Sequence, residues 1–119
     1  MVRGIRGAVQ AGENTTAAIH AATTELLLAL AVANRVQISD IVSVFLTSTP
    51  DLDAAYPAYA VRQLAGWERV PLLGAQELGV PGALPRVIRV LIHINTDSVP
   101  SDIRHVYLGE TKGLRPDLE

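Results

Sequence analysis

The chain has 119 residues, a formal net charge of −2, no cysteine and a hydrophobic fraction of 49%. This size predicts one domain over residues 1–119 with a buried core, and the scattered basic residues argue against nucleic acid or a membrane as partners. The lack of cysteine excludes disulfides, thiolate chemistry and cysteine-ligated metals. We expect a cytoplasmic protein, because no signal-peptide core is visible and the run LLLALAVA is too short to span a bilayer.

The first half of the chain predicts a strand, a long helix and a second strand. Residues 2–9 form the first strand in this interpretation. Asn14 or Thr15 is a suitable N-cap for a helix that runs to about Asn34 and carries a leucine-rich stripe. The segment IVSVFLTST has the β-branched density of a buried strand, which ends at Pro50.

The second half continues the alternation of helices and strands. A helix begins near Pro57 and ends near Gly66, and RVPLLGAQELGVPG predicts a strand with a loop. Residues 84–96 form the clearest strand, and IRHVYLGE predicts the last one, followed by a flexible tail over residues 111–119. Alternation places on one face of the clearest strand Ile88, Val90, Ile92 and Ile94, and on the other Val87, Arg89, Leu91 and His93. The predicted fold class is α/β, with an α+β mixed sheet and two main helices.

Common catalytic signatures are missing from the sequence. It contains no glycine-rich phosphate loop, no G-x-S-x-G elbow and no H-E-x-x-H motif. The three histidines, His20, His93 and His105, are not spaced as local metal ligands. We expect His20 on the surface of the long helix, and His93 and His105 on strands with local partners. The sequence therefore predicts neither a metal nor a cofactor.

Arginine is over-represented, with nine arginines against one lysine. Its planar fork suits bidentate recognition of carboxylates, but codon usage in a GC-rich genome would produce the same excess, so position has to decide. Alternation places Arg3 and Arg6 on opposite faces of the first strand, and we expect Gly4 and Gly7 to leave space beside the arginines for close approach. Arg89 lies mid-strand among apolar residues, where an unpaired guanidinium is costly.

Glu77, in the preceding strand-and-loop segment, is a suitable partner for Arg89. One interpretation is a structural ion pair. The other is a polar pocket in which several arginines converge on a carboxylate-bearing ligand and Glu77 accepts a proton from a ligand hydroxyl. Spacing alone does not separate the two. Tyr107 either reaches such a pocket or caps the sheet, and Arg62 and Arg115 are expected to be solvated.

Five segments together carry a resemblance to a known family: VRGIRGA, TPDLDAAYPAYAVRQLAGW, VPLLGAQE, LPRVIRVLIHINTD and IRHVYLGETKGLRPDL. In order and over essentially the whole chain, they resemble the AroH-class, monofunctional chorismate mutases. The resemblance implies an isomerase of phenylalanine and tyrosine biosynthesis that rearranges chorismate to prephenate, without a cofactor. It also implies a small subunit of a trimeric pseudo-barrel, a homotrimer with active sites between its subunits.

The resemblance implies roles for the charged strand residues. Arg6 matches an arginine that binds a substrate carboxylate, and Arg89 matches an arginine that bonds the ether oxygen and a carboxylate. Glu77 matches a glutamate that contacts the ring hydroxyl, and Tyr107 matches a tyrosine that reaches a carboxylate. The catalytic set implied is Arg89, Glu77 and Arg6, whereas Arg3 has no such role.

Further matches are implied around the mouth of the site. Arg62 and Arg115 fall on positions that close the mouth or cover it with the tail, and the other implied contacts are Tyr56, Leu73 and Gly74. Tyr59 stands where some members carry lysine, which implies weaker steering of the dianion. Gly74 stands where cysteine is common, so that contact would run through the backbone.

Two alternatives stay open at this point. The first is a non-catalytic anion-binding or regulatory homotrimer on the same scaffold. The second is a small trimeric enamine/imine deaminase, which lacks motif support here. The joint presence of Arg6, Glu77 and Arg89 favours the mutase, because a degenerate relative is expected to lose at least one of them.

Overall fold

The computed structural model describes residues 1–114, which form one five-stranded sheet and two α-helices. The helices are α1 (Thr16–Asn34) and α2 (Pro57–Gln63), and the strands are β1 (Val2–Gln10), β2 (Ile41–Ser48), β3 (Leu72–Gln76), β4 (Val87–Asn95) and β5 (Val106–Tyr107). Short 3-10 helices span Ile38–Asp40, Pro100–Asp102 and Gly109–Leu114. The predicted mixed α/β class is confirmed.

The central strand of the sheet is β4, in the order β3-β2-β4-β1-β5. Both β1 and β2 run antiparallel to β4, whereas β3 is parallel to β2 and β5 is parallel to β1. The register places Ala8 of β1 and Thr47 of β2 on either side of Arg89. Directly paired residues on neighbouring strands share a face of the sheet, so these three side chains lie on one face.

The core lies between the sheet and the helices. Along β4 the side chains of Ile88, Val90, Ile92 and Ile94 are buried, and the residues between them are half-buried from Arg89 onwards. The alternation predicted for this strand is confirmed. The leucines at positions 26, 27 and 30 of α1 are fully buried against this face, which fixes the opposite face as the one that carries Arg89.

The long helix begins at the predicted cap. The side chain of Thr15 accepts a hydrogen bond from the backbone N–H of Ala18 at 3.1 Å, and Arg35, with a left-handed φ of 51°, caps the helix after Asn34. The full 19 residues of α1 are long and apolar enough to cross a bilayer by length and composition, although LLLALAVA alone is not. Because its leucine face packs on the sheet, α1 is the core helix of this domain.

The N-terminal strand confirms one expectation about its arginines and corrects another. Arg3 and Arg6 lie on opposite faces, and Arg3 donates from Nε to the carbonyl of Ser98 at 3.2 Å. Gly7 does not make room for the arginines. A Cβ at Gly7 would lie 2.8 Å from the carbonyl oxygen of Val106 and 3.0 Å from a methyl carbon of Leu26, so this glycine permits close packing of β5 and α1.

Two predicted strands are shorter than expected. The strand predicted over residues 84–96 begins only at Val87, because Arg86 has a left-handed φ of 53°. The last strand contains two residues rather than the eight of IRHVYLGE. Within the predicted tail, residues 111–114 belong to a 3-10 helix, and the buried hydroxyl of Thr111 donates to the carbonyls of Ala8 and Leu108 at 3.1 and 2.6 Å.

Candidate active site

Four of the predicted site residues surround one open cavity of about 640 Å³. Arg6 comes from β1, Arg89 from β4 and Tyr107 from β5, while Glu77 directly follows β3. The register explains the cluster: Tyr107 pairs with Ala8, which pairs with Arg89 on its other side. The cavity therefore lies on the sheet face opposite the helices, and we call it the smaller cavity, because a larger one is described below.

The wall of the smaller cavity contains an ion pair. Arg89 Nε lies 2.9 Å from Glu77 Oε1, with 41% and 19% of the respective side-chain surfaces exposed. The apolar residues on either side of Arg89 in the sequence suggested a buried arginine, and the structure shows a partly exposed one. Its Nε makes no hydrogen bond of good geometry within residues 1–114, so its alignment with the carboxylate is poor. The buried Nε is paired with Glu77 for charge, and the exposed part of the Arg89 side chain faces the open cavity.

Thr47 holds the glutamate in place. Its hydroxyl donates to Glu77 Oε1 at 2.6 Å, and the backbone N–H of Glu77 donates to the carbonyl of Ser48 at 2.9 Å. Sequence reasoning missed Thr47, although the alternation of β2 places it on the same face as Phe45. Glu77 is consequently tied to β2 by two hydrogen bonds, one to its carboxylate and one from its backbone.

The other predicted residues line a second, larger cavity of about 820 Å³. It is bounded by β3, by α2 and by the loop that precedes this helix. Its lining residues include Tyr56, Arg62, Leu73 and Gly74. Among residues 1–114, a Cβ at Gly74 would have one neighbour within 4 Å, the carbonyl oxygen of Leu46 at 3.8 Å. No described residue lines both cavities. Arg115 lies outside the described residues.

Histidines are placed partly as expected. His93 shares a 3.1 Å hydrogen bond between Nδ1 and the Ser43 hydroxyl, which confirms a local partner. His20 is half-buried rather than fully on the surface, and its ring stacks on that of Tyr59 in α2 with centroids 5.4 Å apart. Its Nε2 is buried without a hydrogen-bond partner among residues 1–114. Tyr59 in turn lines the larger cavity.

One carboxylate that does not line the smaller cavity, that of Asp51, has a shifted pKa. The Thr49 hydroxyl, as the largest cause, and the backbone N–H of Arg86 lower the pKa of Asp51 below its ordinary value of 3.8. The Arg86 N–H lies 2.8 Å from Asp51 Oδ2, and Arg86 Nε donates to the carbonyl of Ala11 at 2.9 Å. These bonds tie the turn after β2 to the ends of β1 and β4.

Sheet topology and charge define this molecule as a small α+β protein whose strands place two arginines in the wall of one cavity. Two arginines, one glutamate and one tyrosine share a cavity without a cluster of metal-binding side chains among the described residues. Sequence comparison assigns the family. The chain belongs to the type I chorismate mutases, whose sequence profile matches residues 2–118.

Individual relatives agree with this assignment. The chain is 56% identical over 120 aligned residues to the chorismate mutase AroH of Thermus thermophilus, covering 100% of this chain and 98% of that protein. It is 44% identical over 118 residues to the chorismate mutase AroH of Bacillus subtilis (strain 168), covering 99% and 93%. Among solved structures, a chorismate mutase from Clostridium thermocellum matches with a TM-score of 0.89 and 44% identity, covering 93% of this chain and 98% of that one. The binding-protein and deaminase alternatives are not favoured.

Proposed function

We propose that this chorismate mutase rearranges chorismate to prephenate in sites formed between neighbouring copies of the chain. The smaller cavity of one copy would face the larger cavity of the next. The observation that carries the proposal is the division of the predicted site residues between two cavities that share no described residue. Each cavity alone is an open half-site, and a second copy supplies the missing wall.

The reaction needs placement rather than reactive groups. Chorismate carries two carboxylates, and within the one molecule a C–O bond breaks while a C–C bond forms, so neither a nucleophile nor a base has to act. The protein has to hold the flexible dianion in a compact pose. It also has to place a cation where the ether oxygen gains negative charge as the C–O bond breaks.

Arg89 is the cation proposed to face the ether oxygen. It lies on the central strand, and 41% of its side chain is exposed, so donors other than the Nε that faces Glu77 can reach a ligand. A fixed donor that interacts more strongly with the transition state than with chorismate lowers the barrier. Arg6 and Tyr107 line the same cavity and are proposed to bind a substrate carboxylate.

Glu77 is proposed to contact the ring hydroxyl of the substrate. Its Oε1 already accepts from Thr47 and faces Arg89, so its remaining acceptor sites can receive the hydroxyl proton. The interaction orients the ring relative to Arg89 and does not require full transfer of the proton.

Residues of the larger cavity are proposed to close the site from the neighbouring copy. Arg62 and Tyr56 are exposed on and before α2, where they would meet the end of the substrate that the smaller cavity leaves open. Leu73 and the backbone at Gly74 would complete this wall, and Arg115 is proposed to cover the mouth.

Exposed apolar side chains support an assembly of several copies. Around the smaller cavity Phe45, Val80 and Leu78 are 38%, 59% and 87% exposed, and contiguous apolar exposure marks interaction sites. The edge strands β3 and β5 also present unpaired backbone groups that a neighbour can cover. We propose a homotrimer of pseudo-barrel form, located in the cytoplasm.

Subunit mixing tests the shared site. Arg89→Ala and Arg62→Glu each damage one half-site, so each variant alone should lose activity, measured as the loss of chorismate absorbance. Unfolding and refolding the two variants together at equal ratio should restore about a quarter of the wild-type rate, because random assembly makes one interface in four intact. Absence of any recovery, with both variants folded and assembled, would show that the two cavities do not act together. Absence of turnover in the wild type would overturn the proposed reaction itself.

A further inference from the structure

We infer that His105 is a positioning residue that fixes Arg6, and through it one carboxylate contact of the proposed site. The inference rests on the proposed function, since Arg6 matters only if it binds the substrate. It concerns a side chain to which neither the sequence motifs nor the mechanism above gives a role.

A single hydrogen bond joins the two residues. The backbone N–H of Arg6 donates to Nδ1 of His105 at 3.0 Å, and both residues are half-buried. The N–H groups of a strand are usually satisfied through ladder bonds to neighbouring strands. A side-chain acceptor for the N–H of Arg6, inside β1, is therefore unusual.

The topology of the sheet edge explains why a side chain is needed. Strand β5 pairs with β1 at only two positions, Gly7 with Val106 and Ala8 with Tyr107. If this parallel ladder continued, the N–H of Arg6 would bond to the carbonyl of Arg104. That carbonyl instead accepts from Asn34 Nδ2 at 2.8 Å, and the Arg104 N–H donates to Asn34 Oδ1 at 2.7 Å.

The side chain of Asn34, at the C-terminal end of α1, therefore occupies the Arg104 carbonyl that would pair with Arg6. The His105 ring accepts the Arg6 N–H in place of that carbonyl. The replacement fixes the backbone of Arg6 relative to Tyr107, which lies two residues after His105 and lines the same cavity. Both residues proposed to bind a substrate carboxylate thus depend on one short sheet edge.

The chemistry of the acceptor gives the inference a specific signature. Nδ1 has to be unprotonated to accept this hydrogen bond, so the imidazole is the neutral tautomer that carries its proton on Nε2. An asparagine side chain places its amide oxygen near the position of Nδ1 and can accept the same N–H. A glutamine side chain is one carbon longer and places its amide oxygen near Nε2, away from Arg6.

The experiment compares His105→Gln with His105→Asn in the assembled enzyme. We expect the KM for chorismate to rise about tenfold in His105→Gln with kcat within about threefold, because one hydrogen bond that orders a binding residue is lost. In His105→Asn the KM should stay within about twofold of the wild type. In an Arg6→Ala background, His105→Gln should change KM by no more than about twofold further, because the side chain it positions is gone.

Three results would overturn the inference. The first is equal KM values for the glutamine and asparagine variants. The second is a lower melting temperature, or a lost fold, without the difference in KM, since His105 would then serve stability alone. The third is additivity of His105→Gln and Arg6→Ala. Each differs from a failure of the proposed function, in which the wild-type enzyme would not turn chorismate over.

Discussion

Replacing Arg89 by alanine separates the contribution of this residue to rate from its contribution to stability. The ion pair with Glu77 is partly exposed, with 41% of the Arg89 side chain accessible, and such pairs stabilise proteins by no more than about 1 kcal/mol. A preorganised donor at a developing negative charge, by contrast, contributes about 2.7–4 kcal/mol, or about 10²- to 10³-fold in kcat. The variant should therefore fold almost as stably as the wild type and lose at least two orders of magnitude in rate.

The assay is the loss of chorismate absorbance over a range of concentrations, accompanied by urea unfolding of each protein. Arg3→Ala is the matched control, because Arg3 is a partly buried strand arginine on the other face whose side chain donates to the Ser98 carbonyl; its kcat should stay within about twofold. Arg89→Lys should recover part of the rate, since it keeps the charge and loses the planar fork. A folded Arg89→Ala enzyme with kcat within tenfold of the wild type would refute the electrostatic role.

Three further substitutions test the supports of the site and the fold. Thr47→Val removes the hydroxyl that donates to Glu77 at 2.6 Å, and steady-state kinetics should show a KM several-fold higher; an unchanged KM would mean that Glu77 is held by other contacts. Gly7→Ala places a Cβ 2.8 Å from the Val106 carbonyl oxygen, so urea unfolding should show a loss of about 1–3 kcal/mol, and a loss near zero would show that β5 can move away. Because the folded pKa of Asp51 is lowered, its stabilising contribution is present above the ordinary value and disappears as the pH falls through the folded pKa. Asp51→Asn should accordingly flatten the acid end of the stability profile below about pH 4, and a parallel profile would assign that loss to other groups.

The local sequence pattern predicts those structural features that depend on residues close together in the chain. The alternation of β4 is enough to separate the buried Ile88 and Val90 from Arg89. The N-cap at Thr15 is predictable for the same reason, because a cap is a contact over three residues. The family resemblance adds the grouping of Arg6 with Arg89, which no periodicity contains.

Contacts between distant segments are beyond the sequence pattern. Gly7 was interpreted as space for arginines, but its neighbours are Val106 and Leu26, which come from other elements. The length of β5 depends on whether Asn34 takes the Arg104 backbone groups, so the predicted eight-residue strand was wrong. Such competition between a side chain and a ladder bond is decided by tertiary packing and leaves no trace in local composition.

The supports of Arg89 explain how the proposed site can lack every common catalytic motif. Its cross-strand neighbours Ala8 and Thr47 are small, so packing alone does not confine the guanidinium. Its position comes instead from Glu77, which Thr47 and the Ser48 carbonyl fix to β2. A donor that is already in place needs no reorganisation when charge develops on the ligand. The rate of a unimolecular rearrangement should therefore depend on these uncharged supports as well as on the arginine itself.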